Sequence, residues 1–166
     1  FSVALLARFG YLVGAVTGKE GQEEYLEMLG AQRVIPRKTM EVEKPGPMLK
    51  PLWASVIDTI GGNVLSNAIK GTSTQGVVAV CGNAASPDLH ITVYPLILRG
   101  ITRTGIDSQH YPIGERRILW QKLANDWKPS QILDFYREIS LDEVDAQITQ
   151  MLNGQSKGRI VVNMQE

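Results

Sequence analysis

The chain has 166 residues, with 17 basic and 17 acidic side chains and no net charge, so no global field draws in nucleic acid or an anionic membrane. With 43% hydrophobic and 20% charged residues it can bury a sizeable core, and no apolar run is long enough to span a bilayer. Its one cysteine, Cys81, excludes an internal disulfide and a four-cysteine zinc site, and suits a reducing, cytoplasmic setting.

Phe1 to Phe9 reads as the later turns of a helix already under way, closed by Gly10 as a C-terminal stop. There is no initiator Met and no basic region before the apolar stretch, as a signal peptide would need, so further residues are expected upstream. Leu12 to Val16 is a buried-type strand. Gly21 to Leu29 is helical, with Tyr25, Leu26 and Leu29 on one face and Gly30 as its stop. Arg33 to Ile35 is a short strand closed by Pro36, and residues 38 to 51, with Pro45, Pro47 and Pro51, form a surface loop. Ala54 to Asp58 is the next strand. Val64, Leu65, Ala68 and Ile69 line one face of the following helix, and Gly76 to Cys81 is a near-continuous apolar strand. Pro95 opens a short helix to Arg99, and Ile101 to Ile106 alternates as an edge strand should.

This alternation predicts an α/β fold with a parallel sheet covered on both faces. The last third differs. Glu115 to Trp127 is a helix with Leu119, Trp120, Leu123 and Trp127 at helical spacing. Ser140 and Glu143 form a capping box for a helix with Val144, Ile148, Met151 and Leu152 on one side. Gly158 to Asn163 is a final strand, far enough from the main alternation to belong to a different sheet.

Chemistry is concentrated at strand ends. The strand from Leu12 ends in Thr17-Gly18-Lys19. In a dinucleotide-binding unit a carboxylate at the end of the second strand selects NAD, whereas a small residue beside a cation accommodates the 2′-phosphate of NADP. Here the carboxylate is missing and an ammonium follows, which favours NADP; an ordinary turn with a solvated lysine is the plain alternative. Gly61-Gly62 and Gly82-Asn83 also follow strands, where ligands of open α/β sheets bind and where glycine lets a backbone approach closely. Cys81 reads as a small core hydrophobe. His90 and His110 lack metal-ligand spacing. Glu115-Arg116-Arg117 reads as a solvated helix start, and Asp107-Ser108 as either a turn or a site lining. No G-x-G-x-x-G fingerprint or phosphate loop occurs.

The segments Val16-Thr-Gly-Lys-Glu, Glu24-Tyr-Leu-Glu-Met-Leu-Gly-Ala, Arg33-Val-Ile-Pro-Arg, Trp53-Ala-Ser-Val-Ile-Asp-Thr-Ile-Gly, Val80-Cys-Gly, Pro95-Leu-Ile-Leu-Arg, Gly105-Ile-Asp-Ser and Glu138-Ile-Ser-Leu follow in this order. With them the chain resembles the zinc-independent quinone oxidoreductase and acrylyl-CoA reductase branch of the medium-chain dehydrogenase/reductase superfamily, over nearly its whole length. The resemblance implies a Rossmann-type doubly wound parallel sheet without its first strand, because in the family the glycine-rich loop directly precedes the helix that opens this chain. It implies an NADP-binding part over residues 1–127 and, over residues 128–166, a helix-and-strand return to a GroES-like substrate domain. It places Thr17, Gly18 and Lys19 at the 2′-phosphate, with Arg37 as a second cation. Asn83 falls at the cofactor contact after Cys-Gly, Ile97 and Ser108 near the nicotinamide, and Arg159 near the cofactor in the return segment. The implied activity is NADPH-dependent reduction of a quinone or of an α,β-unsaturated acyl-CoA, with no catalytic residue assignable and a homodimer paired through Ile101 to Ile106. The alternative is a cofactor-binding or structural fragment without turnover.

Overall fold

The computed structural model describes residues 1–130 and 135–164. Two compact units are present: residues Phe1–Ile35 with Ile118–Glu166, and residues Pro36–Arg117. The elements in chain order are α1 (Ser2–Arg8), β1 (Val13–Thr17), α2 (Glu23–Met28), β2 (Ala31–Pro36), α3 (Lys38–Glu41), β3 (Trp53–Asp58), α4 (Gly62–Lys70), β4 (Thr72–Val80), α5 (Tyr94–Arg99), β5 (Thr102–Gly105), α6 (Ile113–Ala124), β6 (Tyr136–Ile139), α7 (Val144–Leu152) and β7 (Arg159–Val162).

In the first unit, α1 ends as Gly10 foretold. Gly10 has φ +80°, its N–H donates to the Ala7 carbonyl at 2.9 Å, and the Tyr11 N–H donates to that of Leu6 at 3.1 Å. These two bonds are those of a Schellman motif, satisfying carbonyls the helix leaves unpaired. β1 pairs with β2. Ala4, Leu29 and Phe135 form a small core, with Val3 and Tyr25 packed on it. β6 pairs in parallel with β7, Tyr136 opposite Arg159 and Ile139 opposite Val162, so the terminal strand does form a separate sheet. β6 itself has no counterpart among the expected elements.

The second unit carries a parallel sheet in the order β3-β4-β5. Leu65 and Ile69 of α4, Val78 of β4 and Ile101 form the buried cluster, and Val56, Val80, Leu89, Ile91 and Leu96 pack on it. This is the face expected for α4.

Several expectations need correction. Burial on both faces does not hold for the described strands: Val16, Ile57 and Val77 are exposed, because they alternate with the residues that meet the helices. β1 accordingly alternates, with Val13 and Ala15 inward, rather than being buried throughout. The loop from residue 38 contains α3, whose Met40 is buried. The Asn67 amide donates to the carbonyls of Met40 and Val42, each at 2.8 Å, and the Lys70 ammonium to that of Lys44 at 2.9 Å. α6 begins and ends earlier than expected and has no buried residue, so its tryptophan stripe is not core. α7 is turned relative to expectation: Ile148 is 49% and Leu152 83% exposed while Gln147 is 5% exposed. The Arg137 guanidinium donates to the Gln147 side-chain oxygen, and that bond satisfies the buried amide oxygen.

Candidate functional site

At the end of β1 the Thr17 hydroxyl oxygen accepts the Lys19 N–H at 3.1 Å. This small turn holds Gly18 and Lys19 clear of the strand, and both are exposed. The Lys19 ammonium donates to the Ser156 carbonyl. Arg159 opens β7 and is exposed. Sequence reasoning missed Ser156, which meets Lys19 across 137 positions, and no local pattern signals it.

The register of the second unit aligns Asp58 with Val80 and Val80 with Gly105. The chain therefore leaves β3, β4 and β5 along one edge, and the loops carrying Gly61, Asn83 and Ser108 start there. The first two loops are zipped together. The N–H groups of Ala84 and Ala85 donate to the carbonyls of Thr59 and Ile60 at 3.2 and 2.9 Å, and Gly61 forms a parallel bridge with Ser86. Gly82 fits only without a side chain, since a Cβ would lie 2.7 Å from the Thr59 carbonyl oxygen. Asp58 closes β3 from beneath. It is 4% exposed, and its carboxylate accepts the Gly61 N–H at 3.0 Å. Burial pushes the Asp58 carboxyl above its ordinary range, opposed by hydrogen bonds from the N–H groups of Gly61 and Ile60.

The third loop is an Asx-type turn. One Asp107 carboxylate oxygen accepts the N–H groups of Gln109 and His110, each at 3.1 Å, and these bonds together with the His110 ring hold its carboxyl below the usual range. Arg116 reaches back from α6 and donates to the carbonyls of Ser108 at 2.5 Å and Tyr111 at 3.2 Å. The basic stretch at the start of α6 is thus not simply solvated. The available signal was a cation in the first turn of a helix, where the dipole opposes it and where it needs acceptors elsewhere.

Of the eight expected cofactor residues, Thr17, Gly18, Lys19 and Arg159 lie in the first unit and Arg37, Asn83, Ile97 and Ser108 in the second. Asn83 and Ser108 are exposed on adjoining loops of the carboxyl edge. Ile97 stands apart on α5, 67% exposed. The C-terminal residue of α5, Arg99, is tied to the amino-terminal end of β4 through the Thr72 carbonyl at 2.8 Å. Arg37 lies beside Glu41, with 2.8 Å between its Nε and the carboxylate, so its charge is partly met. The angle is wrong for a hydrogen bond, and Nε has no hydrogen-bond partner among the described residues. Cys81 corrects its expectation: it is exposed, and its thiol donates to the Asp58 carbonyl at 3.2 Å. Cys81 lies one residue past the end of β4, where the covering of the strand interior no longer applies. No group of three or more His, Cys, Asp or Glu is placed to hold a metal among the described residues, and no helix among them is long and apolar enough to cross a membrane.

The family pattern described as zinc-binding dehydrogenase matches residues 1–125. The Escherichia coli protein named as a probable acrylyl-CoA reductase, AcuI, is 40% identical over 163 residues, covering 98% of this chain and 50% of its own length. YhfP of Bacillus subtilis, whose name assigns it provisionally to the quinone oxidoreductases, is 34% identical over 164 residues, covering 98% of this chain and 50% of its own length. The crystal structure of the yhdH oxidoreductase from Salmonella enterica in complex with NADP is 36% identical and matches with a TM-score of 0.93, over 99% of this chain and 50% of that one. The YhfP crystal structure, with NAD bound, matches with a TM-score of 0.92 over 98% of this chain and 50% of that one. The chain thus spans about half the length of the curated relatives it matches. Its α/β architecture is that of the Rossmann-type oxidoreductases, and by the match over residues 1–125 the chain belongs to the zinc-binding dehydrogenase family.

Proposed function

We propose that this chain carries the NADP-binding part of a cytoplasmic reductase acting on a quinone or an α,β-unsaturated acyl-CoA. The observation that carries the reading is the end of β1, where Thr17-Gly18-Lys19 offers a cation and no carboxylate. Relatives crystallised with NADP and named as acrylyl-CoA reductase or quinone oxidoreductase support it. In this reading residues 1–127 hold the cofactor and residues 128–166 belong with the substrate domain. Thr17, Gly18 and Lys19 hold the 2′-phosphate with Arg37 as a further cation; Asn83, Ile97 and Ser108 border the nicotinamide half; Arg159 borders the cofactor from the return segment. The residues at hand fit such a group. Lys19 has no carboxylate partner among the described residues, and Asn83 and Ser108 stand exposed on loops that leave the carboxyl edge.

When bound, NADPH supplies the hydride. The chain's own part is to fix the edge over which the nicotinamide half would lie. Asp58 holds the Gly61 turn from below, and Arg116 holds the Ser108 loop by its carbonyls. The test is NADPH oxidation followed at 340 nm with benzoquinone and with acryloyl-CoA, using the protein together with all residues that precede it. Turnover with either acceptor is expected. Silence with both would favour a binding or structural role.

We further propose a homodimer through the Ile101 to Ile106 strand. β5 is the last strand in the order β3-β4-β5, and all four of its residues are exposed. Pairing the same strand about a two-fold axis extends the sheet and removes an aggregation-prone edge. The Ile106 N–H donates to the Val80 carbonyl at 2.9 Å, so by alternation the N–H groups of Thr102 and Thr104 face β4 and those of Arg103 and Gly105 face the free edge. Arg103→Pro with Gly105→Pro removes the two outward donors and is expected to give a monomer by light scattering. A dimer that survives both changes places the interface elsewhere.

A further inference from the structure

We propose that Lys157, on the loop between α7 and β7, is an additional cation of the adenosine 2′-phosphate subsite, beside Lys19, and helps set the preference for NADP over NAD. The inference rests on the reading of Thr17-Gly18-Lys19 given above.

The loop is held at both ends by left-handed glycines. Gly154, with φ +70°, closes α7 in a Schellman motif: its N–H donates to the Met151 carbonyl at 3.0 Å, and that of Gln155 to the Gln150 carbonyl at 2.8 Å. Gly158, with φ +69°, passes so close to β6 that a Cβ there would lie 2.6 Å from the Phe135 carbonyl oxygen. Between these two points only Gln155, Ser156 and Lys157 remain. Such a short clamped arc has little freedom, and it points at the end of β1. The Ser156 carbonyl takes the Lys19 ammonium. The next residue, Lys157, sets its ammonium 3.9 Å from the centroid of the Tyr25 ring on α2.

Two ammonium groups are therefore gathered from distant parts of the sequence, one held by a carbonyl and one by an aromatic face. The ion pairs among the described residues are Arg37 with Glu41 and His110 with Asp107, so no carboxylate there neutralises either lysine. Both side chains are exposed, with Lys19 held by the Ser156 carbonyl and Lys157 by the ring of Tyr25 in the first turn of α2, the helix that follows β1. A carbonyl uses one of the three ammonium donors and a ring face uses none strictly, so donors remain on both. A phosphate monoester carries between one and two negative charges at neutral pH and offers three acceptor oxygens. It is the group that two such point charges suit. The Ser156 carbonyl acts here as a positioning group, since it holds Lys19 toward the same space.

The test uses adenosine 2′,5′-bisphosphate and 5′-AMP, which differ only by the 2′-phosphate, titrated calorimetrically into the protein. The wild type is expected to prefer the bisphosphate. Lys157→Gln is expected to weaken the bisphosphate about tenfold, in the range of one charge-assisted hydrogen bond, and to leave 5′-AMP unchanged. Lys157→Arg is expected to restore most of the loss, which a stacking role confined to Tyr25 would not require. If Lys157→Gln leaves the bisphosphate affinity intact while Lys19→Ala weakens it, Lys157 is a partner of Tyr25 only and the inference fails while the NADP reading stands. If neither variant changes the discrimination, or the wild type shows none, the 2′-phosphate subsite is not at this strand end and both fail.

Discussion

Replacing Gly61 by alanine is expected to destabilise the Pro36–Arg117 unit by about 3 kcal/mol, more than any exposed substitution in it. Gly61 has φ +75° and ψ −161°, a combination essentially reserved for glycine. The added methyl would also lie 2.0 Å from the Ser86 carbonyl oxygen, so the bridge between the two loops would have to open. That bridge holds the carboxyl edge on which Asn83 lies, and the N–H that Gly61 gives to buried Asp58 would be lost with it. Gly10→Ala is the control. It shares a positive φ but meets nothing within 4 Å, and should cost only about 1 kcal/mol. Urea melts followed by circular dichroism, with amide exchange to localise the change, compare the two. Equal midpoints for both variants would show that the Ser86 loop yields freely and that the edge is not rigid.

Lys19→Ala is expected to raise the dissociation constant for NADPH by roughly 10- to 100-fold, the loss of one charge-assisted hydrogen bond of about 1.5–3 kcal/mol, and to leave NADH within about twofold. Only NADPH carries the charge that the ammonium would meet. The Ser156 carbonyl accepts from Lys19 in the free chain, so part of the gain is offset by the bond the phosphate competes with, and the lower end of the range applies if that bond must break. Lys19→Arg should retain the preference, because the guanidinium offers a fork to the same phosphate. Equal weakening of both cofactors would make Lys19 a general structural contact. No effect on either would make it a solvated bystander.

The alternation of strands and helices, the stop at Gly10, the capping box at Ser140 and the end of β1 were all legible in the chain. Each depends on interactions that reach no more than about four residues, such as a glycine in a left-handed turn or a side chain bonded to a nearby N–H. Ser140 shows this: the Glu143 carboxylate accepts its N–H at 2.9 Å, as the residue types alone foretell. What the sequence could not decide was which face of an element is covered. The apolar stripe of α7 is exposed and Gln147 is buried, because burial is set by β6 and by Arg137, not by the helix itself. Cys81 and Arg116 were misjudged for the same reason, since their partners are carbonyls on other segments. The meeting of Lys19 with Ser156 and the approach of Lys157 to Tyr25 belong wholly to the tertiary structure. Periodicity describes the surface an element offers. Only the packed chain brings one surface to another, and it is that packing which carries the arc of Ser156 and Lys157 to Lys19 and to Tyr25.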